Sequence, residues 1–148
     1  MPIKVLEIHH HATRINADKQ PFGEVRKFYS EVLGLGADPK RPFIPGIPGY
    51  WINVGDSGQI HLVGGDTPSP VAKRPDQDPA APHVALAVVD IVEAKAELQR
   101  MGVPFWSIVG VTGPENEQVF VNDPCGNMIE LHQFDRCRCR ASARQAVS

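Results

Sequence analysis

One polar pattern occurs twice in this chain. A strand-like segment bearing His10 is followed 51 residues later by another bearing His61, and a strand-like segment bearing His83 is followed 47 residues later by another bearing Glu130. Each half runs in the same order: a His strand, an amphipathic helix, a Gly-ended turn, then strands around a tight turn, the last of them carrying a metal-capable side chain. A repeated unit that cannot bury its own sheet pairs with its copy, and ligands at equivalent places then close one site between the two. The expected fold is α+β: two tandem βαβββ modules forming a curled mixed sheet around a metal-binding cleft, with the helices on the outer face.

Residues 4–15 read as the first strand. A helix is expected over about 21–33, where Val25, Phe28, Tyr29, Val32 and Leu33 fall on one face and Gly34 ends it. The Pro- and Gly-rich stretch 37–49 reads as a short edge strand or a binding loop. Tyr50 to Val54 and Gln59 to Val63 form a hairpin around Gly55-Asp56-Ser57-Gly58. Residues 64–82 hold five prolines and no apolar periodicity, which marks a semi-rigid linker. The second half repeats the plan: strand His83 to Val89, Asp90 as N-cap of a helix with Ile91, Ala94, Leu98 and Met101 on one face, a strand within Val103 to Val111, then a hairpin around Asp123-Pro124-Cys125-Gly126. The chain divides into module 1 (3–63), the Pro-rich linker (64–82), module 2 (83–134) and a basic tail (135–148), all within a single domain, 1–148. The tail reads as frayed surface, with a local anionic contact as the second reading.

A net charge of −2 gives no global field favouring nucleic acid, and no apolar run is long enough to span a bilayer. A cytoplasmic location is the default expectation, with no nucleic-acid or membrane partner. The three cysteines, Cys125, Cys137 and Cys139, are expected as reduced thiols, the last two sitting too close in sequence for a useful disulfide.

Strand alternation sorts the side chains by face. His10, Ala12 and Arg14 share one side of the first strand, with His9, His11 and Thr13 opposite. Gln59, His61 and Val63 share a side, as do His83, Ala85 and Ala87, and as do Met128, Glu130 and His132. His10, His61, His83 and Glu130 are therefore the candidate metal ligands. Imidazole with carboxylate suits Fe2+, Mn2+, Zn2+, Ni2+ or Co2+, and leaves positions open for substrate oxygens. Glu130, if displaced, is the candidate general base, and Arg14 the candidate anchor for a substrate carboxylate or phosphate.

The segments His9-His10-His11-Ala12-Thr13-Arg14-Ile15, Phe28-Tyr29-Ser30-Glu31-Val32-Leu33-Gly34-Leu35, Gln59-Ile60-His61-Leu62, Pro82-His83-Val84-Ala85 and Asp123-Pro124-Cys125-Gly126-Asn127-Met128-Ile129-Glu130-Leu131 resemble the vicinal oxygen chelate superfamily, which includes glyoxalase I, extradiol dioxygenases and bleomycin-resistance proteins. The resemblance implies that the four ligand positions match His10, His61, His83 and Glu130, with His61 the least secure because many relatives use three. It implies a homodimer and a small-molecule substrate whose vicinal oxygens chelate a divalent metal, through lyase, isomerase or dioxygenase chemistry. A non-catalytic antibiotic-binding protein of the same fold is the alternative, and an antibiotic-modifying transferase a third reading.

Overall fold

The computed structural model describes residues 2–15 and 22–141. Chain order is β1 (Val5–Arg14), α1 (Phe22–Lys27, continuing as a wider π-type turn over Phe28–Val32), β2 (Gly49–Val54), β3 (Gly58–Val63), β4 (His83–Val88), α2 (Ile91–Arg100), β5 (Trp106–Val109), β6 (Glu117–Asn122) and β7 (Met128–Gln133). The strands form one mixed sheet in the order β2-β3-β1-β4-β7-β6-β5. β1 runs parallel to β3, and β4 parallel to β7; the seam between the modules is the antiparallel pair β1–β4.

Module 2 follows its sequence pattern closely. The Asp90 carboxylate accepts from the backbone of Val92 and Glu93 at 2.8 and 3.1 Å, satisfying the first free amides of α2. Gly102, at φ 69°, ends the helix. Ile91, Ala94 and Leu98 bury against Val88, Val119 and Leu131 on the outer face of β4, β6 and β7. In the 123–126 turn the Asp123 carboxylate accepts from the amides of Cys125 and Asn127, each at 2.9 Å, with Gly126 at φ 85°. That turn sets the phase of β7. A slip of one residue would move Glu130 to the helix side of the sheet.

Module 1 departs in two places. Its second strand shrinks to one bridge, Ala37 to Ile52, flanked by Asp38 N to Trp51 O (2.7 Å) and Asn53 N to Gly36 O (2.8 Å). Pro39, Pro42, Pro45 and Pro48 lack the N–H groups a longer ladder needs. The apolar face expected of the first helix is also largely uncovered. Phe28, Val32 and Leu33 are 50, 66 and 51 % exposed, as are the outward residues of β1, Leu6 at 51 % and Ile8 at 60 %.

The stretch expected as a linker and the tail expected as frayed surface are both built into the cleft. In the 64–82 stretch Asp78 accepts from Ser69 N (2.7 Å), Ser69 Oγ (2.6 Å) and Ala80 N (2.9 Å), so a buried carboxylate fixes a loop whose Val71, Pro79 and Ala80 wall the cavity. The described part of the tail, 135–141, is not frayed. Arg138 makes a two-pronged ion pair with Asp38 (2.7 and 2.8 Å), Arg140 pairs with Glu7, and Ala141 N donates to Asp56 O at 2.8 Å. Cys137 and Cys139 point inward, buried, and are joined as a disulfide, correcting the expectation of free thiols. The loop it closes is so short that it removes little entropy from the unfolded chain.

Leu98→Ala should cost about 2–4 kcal/mol of stability, whereas Val92→Ala, on the same helix but 66 % exposed, should stay within about 0.5 kcal/mol. Urea unfolding followed by circular dichroism measures both.

Candidate metal centre

Register across the sheet places donors and alanines alternately. One row reads Gln59–His10–Ala85–Glu130–Phe120 and the next Trp51–His61–Ala12–His83. Ala12 and Ala85, 1 and 0 % exposed, form a low floor over which larger neighbours lean together. The inner face bounds a cavity open at its mouth, with apolar walls from Ile44, Ile47, Val71 and Val111.

Three of the four expected ligands converge. His83 Nε2 lies 3.1 Å and His10 Nε2 3.6 Å from Glu130 Oε1, and the two Nε2 atoms are 3.3 Å apart. Donors about 2.0–2.2 Å from a single cation stand roughly 3.0–3.5 Å from one another, so this spacing needs little adjustment to hold one. The tautomers agree. His83 Nδ1–H donates to Ala81 O at 2.6 Å. His10 Nδ1 faces the Cys139 sulfur at 3.4 Å, and a disulfide sulfur carries no proton, so the imidazole donates. With Nδ1 the donor on each ring, both Nε2 atoms face the same carboxylate oxygen, where each can carry a proton of its own or offer its lone pair to a bound cation. The other oxygen of Glu130, Oε2, is buried with no hydrogen-bond partner, a costly state that a cation would relieve. The donor set thus fits a divalent metal ion.

Electrostatics follow from that crowding. Burial alone would raise the Glu130 carboxyl, but His10 and His83 hold it well below the usual carboxylate range. Burial would lower His83, yet the hydrogen bond and charge of Glu130 outweigh it and raise its pKa. His10 is lowered, chiefly by burial.

His61 stands apart from the three. It is stacked between Trp51 (centroids 4.4 Å) and His10 (3.8 Å). Its Nε2 lies 2.9 Å from Gln59 Oε1. Asp38 and Asn53 accept from the amide nitrogen of Gln59 at 3.4 and 2.8 Å, which fixes the Gln59 oxygen toward His61 and makes His61 Nε2 a donor. Burial, then the charge of His10, push His61 well below its ordinary pKa.

Two further expectations are corrected. β1 bulges where Ile8 pairs with Leu86 and His10 with Ala85, so His9 turns inward with His10 instead of lying on the helix side. His9 is fully buried, its ring 5.4 Å from that of His132. Arg14 does not line the cavity. It donates to the carbonyls of Gly64, Ala80 and Gly65 at 3.4, 3.5 and 2.5 Å, tying the end of β1 to the connecting loop. The arginines lining the wall are Arg41, Arg136 and Arg138; Arg138 is paired with Asp38, whereas Arg41 Nε is buried without a partner and its guanidinium lies 5.9 Å from the Trp51 ring centroid. Sequence reasoning also missed Gln118, which donates to Glu130 Oε1 at 3.1 Å. Its place two residues from Phe120 on the inner face of β6 was the available signal.

The model for the Glyoxalase/Bleomycin resistance protein/Dioxygenase superfamily matches residues 20–131. No curated protein matches the chain. Among solved structures, methylmalonyl-CoA epimerase from Mycobacterium tuberculosis is 21% identical, with 90% of this chain and 91% of that one covered and a TM-score of 0.64. A Streptomyces coelicolor methylmalonyl-CoA epimerase variant in complex with 2-nitronate-propionyl-CoA is 14% identical, with coverage of 93% and 99% and a TM-score of 0.64. The 2,3-dioxygenase LapB from Pseudomonas sp. KL28 is 22% identical, with 89% of this chain and 42% of that one covered, at a TM-score of 0.59. At these identities the likeness is one of fold.

Acid should unfold the metal-free protein early. Burial, with the neighbouring His132 and His10, lowers His9 to about 4, whereas the unfolded chain titrates near 6.5. The unfolded state binds the proton first, so stability is full above pH 6.5 and falls as pH drops toward 4. His9 alone accounts for a loss on the order of 3 kcal/mol. Urea midpoints measured from pH 7.5 to 4.5 should decline through that window, and His9→Gln should flatten the decline.

Proposed function

This chain belongs to the glyoxalase/bleomycin resistance/dioxygenase superfamily, and we propose that it is a metal-dependent enzyme moving a proton at a carbon beside two vicinal oxygens of a small-molecule substrate. The observation carrying this reading is Glu130: one oxygen shared by His10, His83 and Gln118, the other buried and unpartnered. His10, His83 and Glu130 would hold the divalent ion. When bound, that ion supplies Lewis-acid polarisation of adjacent substrate oxygens. Glu130 Oε2, the oxygen without a hydrogen-bond partner, would take the proton, and Gln118 would steady the carboxylate through Oε1. Arg41 is the anion partner at the wall, in place of Arg14, and the aliphatic walls bind the apolar remainder while excluding water.

His61 serves as the stacked, hydrogen-bonded support for His10, and enters the ligand set only if Gln59 releases it. Isomerase or lyase chemistry is the reading these groups support best. Dioxygenase chemistry draws on the superfamily membership and the fold likeness to LapB. The same cleft used without turnover, as a small-molecule binder, is the alternative. No described helix is long and apolar enough to cross a membrane. A homodimer belongs to the proposal, with Leu6, Ile8, Phe28, Val32 and Leu33 supplying apolar surface that a second copy would bury.

Elemental analysis of tag-free protein should show one divalent ion bound at this site. His83→Ala and Glu130→Gln should each weaken binding there by more than about 100-fold, and Gln118→Ala by about 10–100-fold, with His61→Ala little changed. Equal loss on His61→Ala would return it to the ligand set. Turnover is tested by proton–deuterium exchange at the α-carbon of a substituted malonyl thioester in D2O, read by NMR. Exchange absent in wild type and present binding would favour the binder. Arg41→Ala should raise KM for an anionic substrate, whereas Arg14→Ala should lower stability and leave KM unchanged.

A further inference from the structure

A second cluster of metal-capable donors lies on the far edge of the His10 ring from Glu130. One ring nitrogen of His9 and the sulfurs of Cys137 and Cys139 all lie within 4.8 Å of one another, and all three residues are buried. His9 Nδ1 has no hydrogen-bond partner although the residue is fully buried, while its Nε2 lies 3.3 Å from Phe134 O. The Cys139 amide points at Cys137 Sγ at 3.3 Å, a contact that stabilises negative charge on sulfur. The bulge in β1 turns His9 inward, and the ion pairs of Arg138 with Asp38 and Arg140 with Glu7 press the two cysteines against it.

We propose that the reduced Cys137-Arg138-Cys139 turn, with His9, is a second metal site for a thiophilic cation of the Zn(II) or Cu(I) class, separate from the His10/His83/Glu130 centre and gated by oxidation. Two thiolates and an imidazole are the donors such ions prefer, and carboxylate-seeking ions do not compete for them. As a disulfide, the sulfurs carry no anionic charge and hold no cation. Opening the site takes two electrons from a thiol or phosphine reductant. With a thiol, Cys–S–S–Cys and two R–SH give two Cys–SH and R–S–S–R; binding M(II) then releases the two thiol protons. Cys139 Sγ also sits 3.4 Å from His10 Nδ1, so a cation on Cys139 withdraws the contact that orients His10. The sulfur site is therefore coupled to the centre beside it.

The test uses the full chain, reduced with a phosphine, its thiols counted, then titrated with Co(II). Three thiols should titrate, from Cys125, Cys137 and Cys139. Reduced wild type should bind two equivalents, one of them showing the near-ultraviolet thiolate-to-cobalt charge-transfer absorption. Cys125→Ser should keep that absorption, Cys137→Ser and Cys139→Ser should lose it, and His9→Ala should weaken the equivalent by at least tenfold. Wild type reoxidised at the pair should lose the absorption and keep one equivalent, a comparison needing no substitution. The double variant His83→Ala/Glu130→Gln should show the reverse, sulfur-bound cobalt alone, so failure of the neighbouring centre is read separately. The proposal is overturned if reduced wild type with three titrating thiols shows no thiolate band, if the band survives Cys139→Ser, or if only one thiol ever titrates under excess phosphine.

Discussion

The antiparallel seam between β1 and β4 is the constraint on which the rest of the molecule depends. It is the only strand pairing that joins the two modules within the described sheet, and it brings His10 and His83, 73 residues apart, to 3.3 Å. The parallel pairs on either side then deliver Gln59 and His61 from one direction and Glu130 from the other. The geometry works because the positions between the donors are alanine. Ala85 separates His10 from Glu130, and Ala12 separates His61 from His83. A larger side chain at either place would stand where the rings and the carboxylate meet. Small residues in the floor are thus as much a condition of the site as its ligands.

Charge balance explains why that convergence can be stable. Glu130 is completely buried, a state tolerated only because two imidazoles and an amide face it. In the metal-free protein Glu130 Oε1, 3.1 Å away, raises the pKa of His83 and favours its charged form against burial. His9, His10 and His61 are pushed the other way, toward neutrality, by burial. One cluster therefore contains a histidine that holds its proton and three that shed it. A carboxylate in contact makes the difference for His83; His10 receives the same help from farther away and stays depressed.

Much of this was legible in the sequence where one rule acted alone. In module 2, the N-cap at Asp90, the Gly102 stop and the Asp123–Gly126 turn each have a local mechanism, and together they fix the phase that points His83 and Glu130 inward. His10 was legible for the same reason. His9 was not, because alternation has no means of announcing a bulge; the extra residue is specified by pairing with β4, a non-local partner. Arg14 was misjudged since strand phase says which face a residue takes but not whether nearby carbonyls will claim its guanidinium. The reduced second strand of module 1 was half visible in its four prolines. The tail carried a signal that its composition hid. Arg136, Cys137, Arg138, Cys139 and Arg140 alternate with period two, the pattern of a segment with one face in and one face out. Read as a charge run it looks solvated; its partners, Asp38 and Glu7, lie about a hundred residues or more away.

That tail also alters how the candidate centre should be understood. Arg138 holds Asp38, and the Asp38 carboxylate is kept low by that guanidinium against the opposing effect of burial. Asp38 and Asn53 hold the Gln59 amide, and Gln59 in turn makes His61 Nε2 a donor. His61 stacks on His10, whose other nitrogen faces Cys139. The turn segment after β7 therefore touches the site by two routes, one through a relay of hydrogen bonds to His61 and one directly at His10. Whether His61 donates to Gln59 or offers its lone pair inward depends on that relay staying intact. A change in the tail would reach His10 and His61 while leaving His83 and Glu130, which answer to Ala81 and Gln118, in place. The two halves of the site are alike in origin but not in control: module 2 holds its ligands by its own backbone and turn, and module 1 holds its own through a segment from the opposite end of the chain.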